Sequence, residues 1–225
     1  MDFDRSGLAR LILTRRGELV ATGSHEGVAA VARLNGSSWD VQTFPRFGAA
    51  VSGRQTYEDP QGILWLGAYD PRGQKDMVGG ALRYDGRSWT HLVLPQRTAT
   101  GFAYTPDGRF WVGGLGGLAW CQPEGSGMSP EGPWHTVDEP EGLRSGVGAT
   151  LVTARGDLWL GTRTLGAFRY DGKTWHQYDQ TDGLAGASIV RLLEDDRQTV
   201  WARTANGNSR FDGRSWITRP LPEGL

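Results

Sequence analysis

The chain is poor in several residues that mark common functional classes. It holds one cysteine, Cys121, which excludes an internal disulfide framework and any multi-cysteine metal site. Its four histidines are not spaced as metal ligands, so no metal and no cofactor is expected. The formal net charge is only −1, and neither nucleic acid nor an anionic membrane has an electrostatic claim on it. No apolar run approaches the roughly 20 residues that cross a bilayer, and the N-terminus lacks a signal-peptide core. As written, the chain is expected to be soluble and cytoplasmic. No stretch of about 11 positions carries a 3.6-residue apolar period between caps, so helices are not expected either.

What is abundant is glycine, at 34, and tryptophan, at 10, both above the usual share, beside an ordinary 22% of charged residues. Many turns and short strands pinned by aromatic rings follow from that mixture. A length of 225 residues suffices for one domain with a substantial core.

The tryptophans fall into two interleaved series. One follows a glycine-bearing turn: Trp39, Trp89, Trp134, Trp175 and Trp216, at intervals of 41 to 50 residues. The other lies in Leu64-Trp65-Leu66-Gly67, Phe110-Trp111-Val112-Gly113, Leu158-Trp159-Leu160-Gly161 and Val200-Trp201-Ala202, with Val20 in the tryptophan's place in the first copy. Two series in phase over the whole chain mean five repeats.

Copy five shows the unit best. Ser188 to Glu194 reads as a first strand, Thr199 to Arg203 as a second, Asn208 to Phe211 as a third, and a fourth opens at Ser215-Trp216. Asp212-Gly213 is expected to form a hairpin turn with positive φ at both positions. Four antiparallel strands repeated every 40 to 50 residues are the mark of a propeller blade. Ringed blades bury both faces of each sheet, which explains strands that are apolar throughout. The chain is therefore expected to be all-β, a β-propeller of five four-stranded antiparallel blades. The blades run approximately over 1–45, 46–95, 96–140, 141–180 and 181–225 of a single domain. Either five blades close a ring, which would be a monomer, or the chain is an excised part of a larger propeller.

Copies four and five carry Leu158-Trp159-Leu160-Gly161-Thr162, then Phe168-Arg169-Tyr170-Asp171-Gly172-Lys173-Thr174-Trp175, then Asp182-Gly183-Leu184. This pattern resembles the two-component-regulator propeller repeat. The resemblance covers essentially the whole chain and is weaker in copy one, which lacks the second-strand tryptophan. It is weaker too in copy three, whose third strand reads Leu118-Ala119-Trp120-Cys121. It implies a ligand-sensing propeller, usually periplasmic or extracellular, coupled in larger proteins to a kinase or cyclase output.

Residues that recur in every copy serve the fold, and departures are where function can sit. The arginines on strand three, Arg33, Arg83, Arg169 and Arg210, recur and are read as packing on aromatic rings or pairing with turn aspartates. If strand one lines the channel, the loops joining strands two and three share a face with those joining one blade to the next. On that ligand mouth lie His25 with Glu26, Tyr69, Arg72, Arg163 and Asn206, together with Arg97 and Arg144. Counting back ten residues from each second-strand anchor gives Arg10, Gln55, Gly101, Ala149 and Arg191, of which Arg10, Gln55 and Arg191 would be polar lining.

No catalytic residue is assigned. His91, His135 and His176 follow repeat tryptophans on the outermost strand, where they do not converge. Gly113 to Gly117 is glycine-rich but precedes no Lys-Ser/Thr, so it is a tight corner and not a phosphate cradle. Asp171 to Trp175 resembles the Asp-box of sialidase propellers without the residue between Asp and Gly. Three readings follow, in order. The first is a non-catalytic binding propeller for a small polar or glycan ligand at the mouth. The second is a protein-interaction scaffold using insertions 69–79 and 122–133. The third is a lyase or hydrolase using His25.

Overall fold

Twenty short strands supply almost all the regular structure of this computed structural model, which describes residues 8–26, 28–45, 51–68, 80–95, 98–122, 133–138 and 140–221. They form five four-stranded antiparallel sheets, each in the order of the sequence. The first sheet holds β1 (Leu8–Leu13), β2 (Leu19–His25), β3 (Val28–Asn35) and β4 (Ser38–Phe44). The second holds β5 (Val51–Glu58), β6 (Leu64–Ala68), β7 (Gly80–Tyr84) and β8 (Trp89–Leu92). The third holds β9 (Gly101–Tyr104), β10 (Phe110–Gly114), β11 (Gly117–Cys121) and β12 (His135–Val137). The fourth holds β13 (Val147–Val152), β14 (Leu158–Thr162), β15 (Ala167–Tyr170) and β16 (Trp175–Tyr178). The fifth holds β17 (Ile189–Glu194), β18 (Val200–Thr204), β19 (Gly207–Phe211) and β20 (Trp216–Thr218). These are the five blades read from the repeats.

Two compact units divide the chain, Met1–Phe102 and Ala103–Leu225, with the boundary inside β9. Two 3-10 turns, Glu141–Ser145 and Gln180–Asp182, lie in connections between blades. The second is set by a capping box. Asp179 accepts from Thr181 N while its own backbone N–H donates to Asp182. Among the described residues no helix is long and apolar enough to cross a membrane.

The second unit shows why the repeated strands read apolar throughout. In β14 all five residues are buried. Leu158 and Leu160 pack with Trp111, Leu143 and Phe168 on one side, while Trp159 packs with Ile189, Leu192 and Trp216 on the other. Period-2 alternation is present, but both faces are covered, so neither becomes polar. The glycine closing the motif has a packing cause. A Cβ on Gly161 would collide with the Ile189 side chain, and one on Gly113 with Val147. These two glycines let the first strand of the following blade lie against backbone.

The tryptophans are also held by their polar edge. Six residues earlier, at the turn after strand one, stands a buried or half-buried Asp or Thr. Trp65 Nε1 donates to Asp59, Trp111 Nε1 to Thr105 and Trp201 Nε1 to Asp195, each at 2.9 Å. The fourth blade breaks the rule. Thr153 instead accepts from Asp157 N at 3.1 Å, and the buried Trp159 Nε1 has no partner among the described residues. Thr153→Asp, copying Asp59 and Asp195, should satisfy it and raise stability by about 1 kcal/mol, read as a higher melting temperature. An unchanged or lower melting temperature would show that the indole is content as it stands.

The hairpins between strands three and four differ from expectation. Gly172 and Gly213 have φ of 94° and 105°, but Asp171 and Asp212 do not enter the left-handed region. The loops are four residues long because the aspartate folds its carboxylate inward. Asp171 Oδ1 accepts from Lys173 N and Thr174 N, and Asp212 Oδ1 from Arg214 N and Ser215 N. These backbone donors hold the Asp171 carboxyl down at about 2. The carboxylate, and not a two-residue turn geometry, organises the corner.

Candidate functional site

The connections between blades and the corners between strands two and three pack together in the second unit, as a mouth requires. The corner after β14 closes on itself, with Thr162 Oγ1 accepting from Leu165 N and donating to Gly166 O, both at 2.9 Å. Gly166 N then donates to Ala187 O at 2.9 Å, tying this corner to the connection that leads into β17. From the other side Ala185 N donates to Ser209 Oγ at 2.9 Å, and the Asn206 amide lies over Gly186. Arg163 and Asn206, both exposed, therefore flank one connection, and Arg191 sits just beyond it on β17.

Arg191 owes its position to a bulge. In β1, β13 and β17 the register slips at the same place, between Leu8 and Arg10, Val147 and Ala149, Ile189 and Arg191. The residue after each slip is the one reached by counting back ten from the anchor. In the fourth blade that residue, Ala149, packs against the cluster of Ile189 and Leu192, and its strand partner is Gly161. In the fifth blade the two positions become Arg191 and Arg203, in register with each other and both exposed. Neither makes a hydrogen bond or ion pair among the described residues. Arg203 was not read from the sequence as a site residue. Its signal was there, because it stands where Gly67, Gly113 and Gly161 stand in the preceding copies.

The remaining candidates are dispersed. Arg144 is exposed and pairs with Asp138 at 2.9 Å, a solvent-facing bond of small worth. In the first unit Arg10 is exposed opposite Thr22, and half-buried His25 closes β2 without a described acid or base in bonding reach. Its neighbour Glu26 adopts φ of 52° at the β2–β3 corner. The Gln55 side chain and all of Tyr69, Arg72 and Arg97 lie outside the described residues, as do the insertions 69–79 and, but for Gln122 and Pro133, 122–133.

Other reactive groups are accounted for by packing. Burial pushes the Cys121 thiol up to about 12, which leaves it without thiolate character at neutral pH. His135 stacks on Trp120 at 4.3 Å, and His176 stands 3.8 Å from the Asp171 carboxylate on the outer strand. Asp195 is desolvated, which opposes its charge, but bonds from Trp201, Thr199 and Arg197 prevail and its pKa is lowered. Arg169 bonds Asp157 at 2.8 Å beneath the Trp159 ring, and Arg33 lies over Tyr84 at 5.1 Å. Of the recurrent arginines of strand three, Arg169 is thus held by both an aspartate and a ring.

No family model matches the chain, and no curated protein does. Solved structures do. Virginiamycin B lyase from Staphylococcus aureus superposes with a TM-score of 0.69 at 14% identity, over 98% of this chain and 72% of that one. PorZ, a surface component of the type-IX secretion system of Porphyromonas gingivalis, gives 0.65 at 17% identity, over 94% of this chain and 34% of its own. A gluconolactonase from Xanthomonas campestris gives 0.55 at 14% identity, over 86% and 67%. At such identities the likeness establishes the fold, an all-β propeller of four-stranded blades, and nothing further.

Proposed function

We propose that the chain is a non-catalytic ligand-binding β-propeller of the sensor type, recognising a small polar or carbohydrate-like ligand that bears negative charge. One observation carries the reading: Arg191 and Arg203 face each other across β17 and β18, and neither pairs with a carboxylate among the described residues. Like charges directly opposite in a sheet are destabilising, and the same positions in the fourth blade hold Ala149 and Gly161. A pair that costs the fold and replaces neutral residues is accounted for by an anion it binds. Arg163 and Asn206, beside the connection into β17, supply further donors to the same ligand. The resemblance of copies four and five to the two-component-regulator repeat supports a sensing role.

The test uses a thermal-shift panel of citrate, sulfate, a sugar phosphate and neutral sugars on the wild type and on Arg191→Ala and Arg203→Ala. Each substitution should raise the melting temperature of the free protein slightly, by the equivalent of about 0.2–1 kcal/mol. Each should also abolish the shift given by the anionic ligand. A variant that is less stable than wild type yet still shifts would assign the pair to the fold and end the proposal.

A further inference from the structure

The first two blades share a seam unlike those of the second unit. There, the second-strand tryptophan of one blade fills the space beside strands three and four of the next. Trp111 lies 5.7 Å from Tyr170 and 6.1 Å from Trp175; Trp159 lies 4.9 Å from Phe211 and 5.4 Å from Trp216. In the first blade that position holds Val20, buried but far smaller. A second departure sits two residues earlier. Arg109 reaches across to the Tyr170 hydroxyl at 3.0 Å, whereas its counterpart in the first blade is Glu18. Tyr84 pairs with Leu64 as Tyr170 pairs with Leu158. It is 2% exposed, and its hydroxyl has no partner among the described residues; nor has the buried Arg33 Nε.

Along strands three and four of this seam lies a cleft of about 210 Å³, lined by Arg33, Asp40, Gln42, Tyr84, Arg87 and Trp89 among others. It is smaller than the roughly 300 Å³ at which pockets for drug-sized ligands begin, and it corresponds to about seven water volumes. The enclosed space takes one small ring. We infer that this cleft binds a single carboxylated sugar ring, with the chemistry of a hexuronate. It shares no residue with the surface around Arg191.

Each wall has a part in that recognition. Trp89 is half-buried and backed by Tyr84, 4.7 Å away and stacked at 27°, so it is a rigid platform for the C–H face of a pyranose. Arg33 is held over the Tyr84 ring at 5.1 Å, and Glu18 reaches it only at 4.0 Å. The Arg87 guanidinium bonds no described residue. Two guanidinium forks match one carboxylate. Asp40, which accepts a single bond from Asn35 at 3.3 Å, and Gln42 are left for the sugar hydroxyls. The Asp40 charge also disfavours a phosphate dianion and selects a monoanion.

Calorimetric titration of D-glucuronate, D-glucose and acetate into the full chain tests this. Glucuronate should bind saturably, with glucose and acetate each weaker by about tenfold or more. Arg87→Ala should weaken glucuronate by about tenfold without moving the melting temperature, since the side chain supports nothing in the fold. Arg191→Ala should leave glucuronate binding here unchanged, and loss of binding in that variant alone would transfer the ligand to the other surface and overturn the cleft assignment. Absence of glucuronate binding, its survival in Arg87→Ala, or glucose bound as tightly as glucuronate would each overturn it too.

Discussion

Trp111→Ala is expected to lower stability by about 3–5 kcal/mol, seen as a fall in the denaturant midpoint of the full chain. The ring is 2% exposed and packs on Tyr170, Trp175 and Trp120, at 5.7, 6.1 and 6.1 Å. It joins a cluster with Leu118, Leu143, Val147, Leu158, Leu160 and Phe168, so truncation removes contact from two blades at once. Because β10 and β14 are fully buried, little can collapse into the space. The substitution also removes the indole N–H that Thr105 Oγ1 accepts at 2.9 Å. A loss below about 1 kcal/mol would mean that the seam between these blades is not what holds the second unit together.

Asp59→Ala should be nearly as severe, at about 3 kcal/mol, while Asp59→Thr should recover most of that loss. The Asp59 carboxylate is buried in the first unit and accepts three hydrogen bonds, each at 2.9 Å: from Gln61 N, Ile63 N and Trp65 Nε1. Alanine removes the acceptor from the half-buried Ile63 N and the buried Trp65 Nε1 as well as from the exposed Gln61 N, the costly side of the hydrogen-bond balance. Threonine is the natural occupant in the third blade, where Thr105 Oγ1 accepts from Trp111 Nε1. The comparison of the two variants by urea melts separates loss of an acceptor from loss of charge. Equal destabilisation by alanine and threonine would show that the carboxylate itself is required.

The repeats made most of the fold legible. Trp and Gly recur because one fills the seam and the other admits the next strand, and both causes leave a regular trace in the sequence. The boundaries of β17 to β20 lie within one residue or so of those read from copy five. What escaped were features set by three-dimensional register. The slip at Ala149 and Arg191 carries no compositional mark, because a bulge is a count of residues between two paired positions. The indole acceptors were visible as Asp59, Thr105 and Asp195, but only geometry shows that a turn residue reaches a side chain six positions on. The Asp212 corner is given a turn type from Asp-Gly alone, although the carboxylate could organise a longer loop. The candidate site divides in the same way. Arg191 stands out as a departure at a counted position, whereas Arg203, read only as the last residue of the second strand, stands out only beside Gly67, Gly113 and Gly161.

Every strand in these sheets is bonded only to its neighbours in sequence. Such pairing closes short loops, whose entropic cost is small, so each blade can assemble from roughly forty consecutive residues. During synthesis a sheet is therefore complete as soon as its fourth strand leaves the ribosome. Its apolar face then waits for the next blade, which is already being made. The order of translation is the order in which the seams are covered, and the time an uncovered face spends exposed is set by the elongation rate.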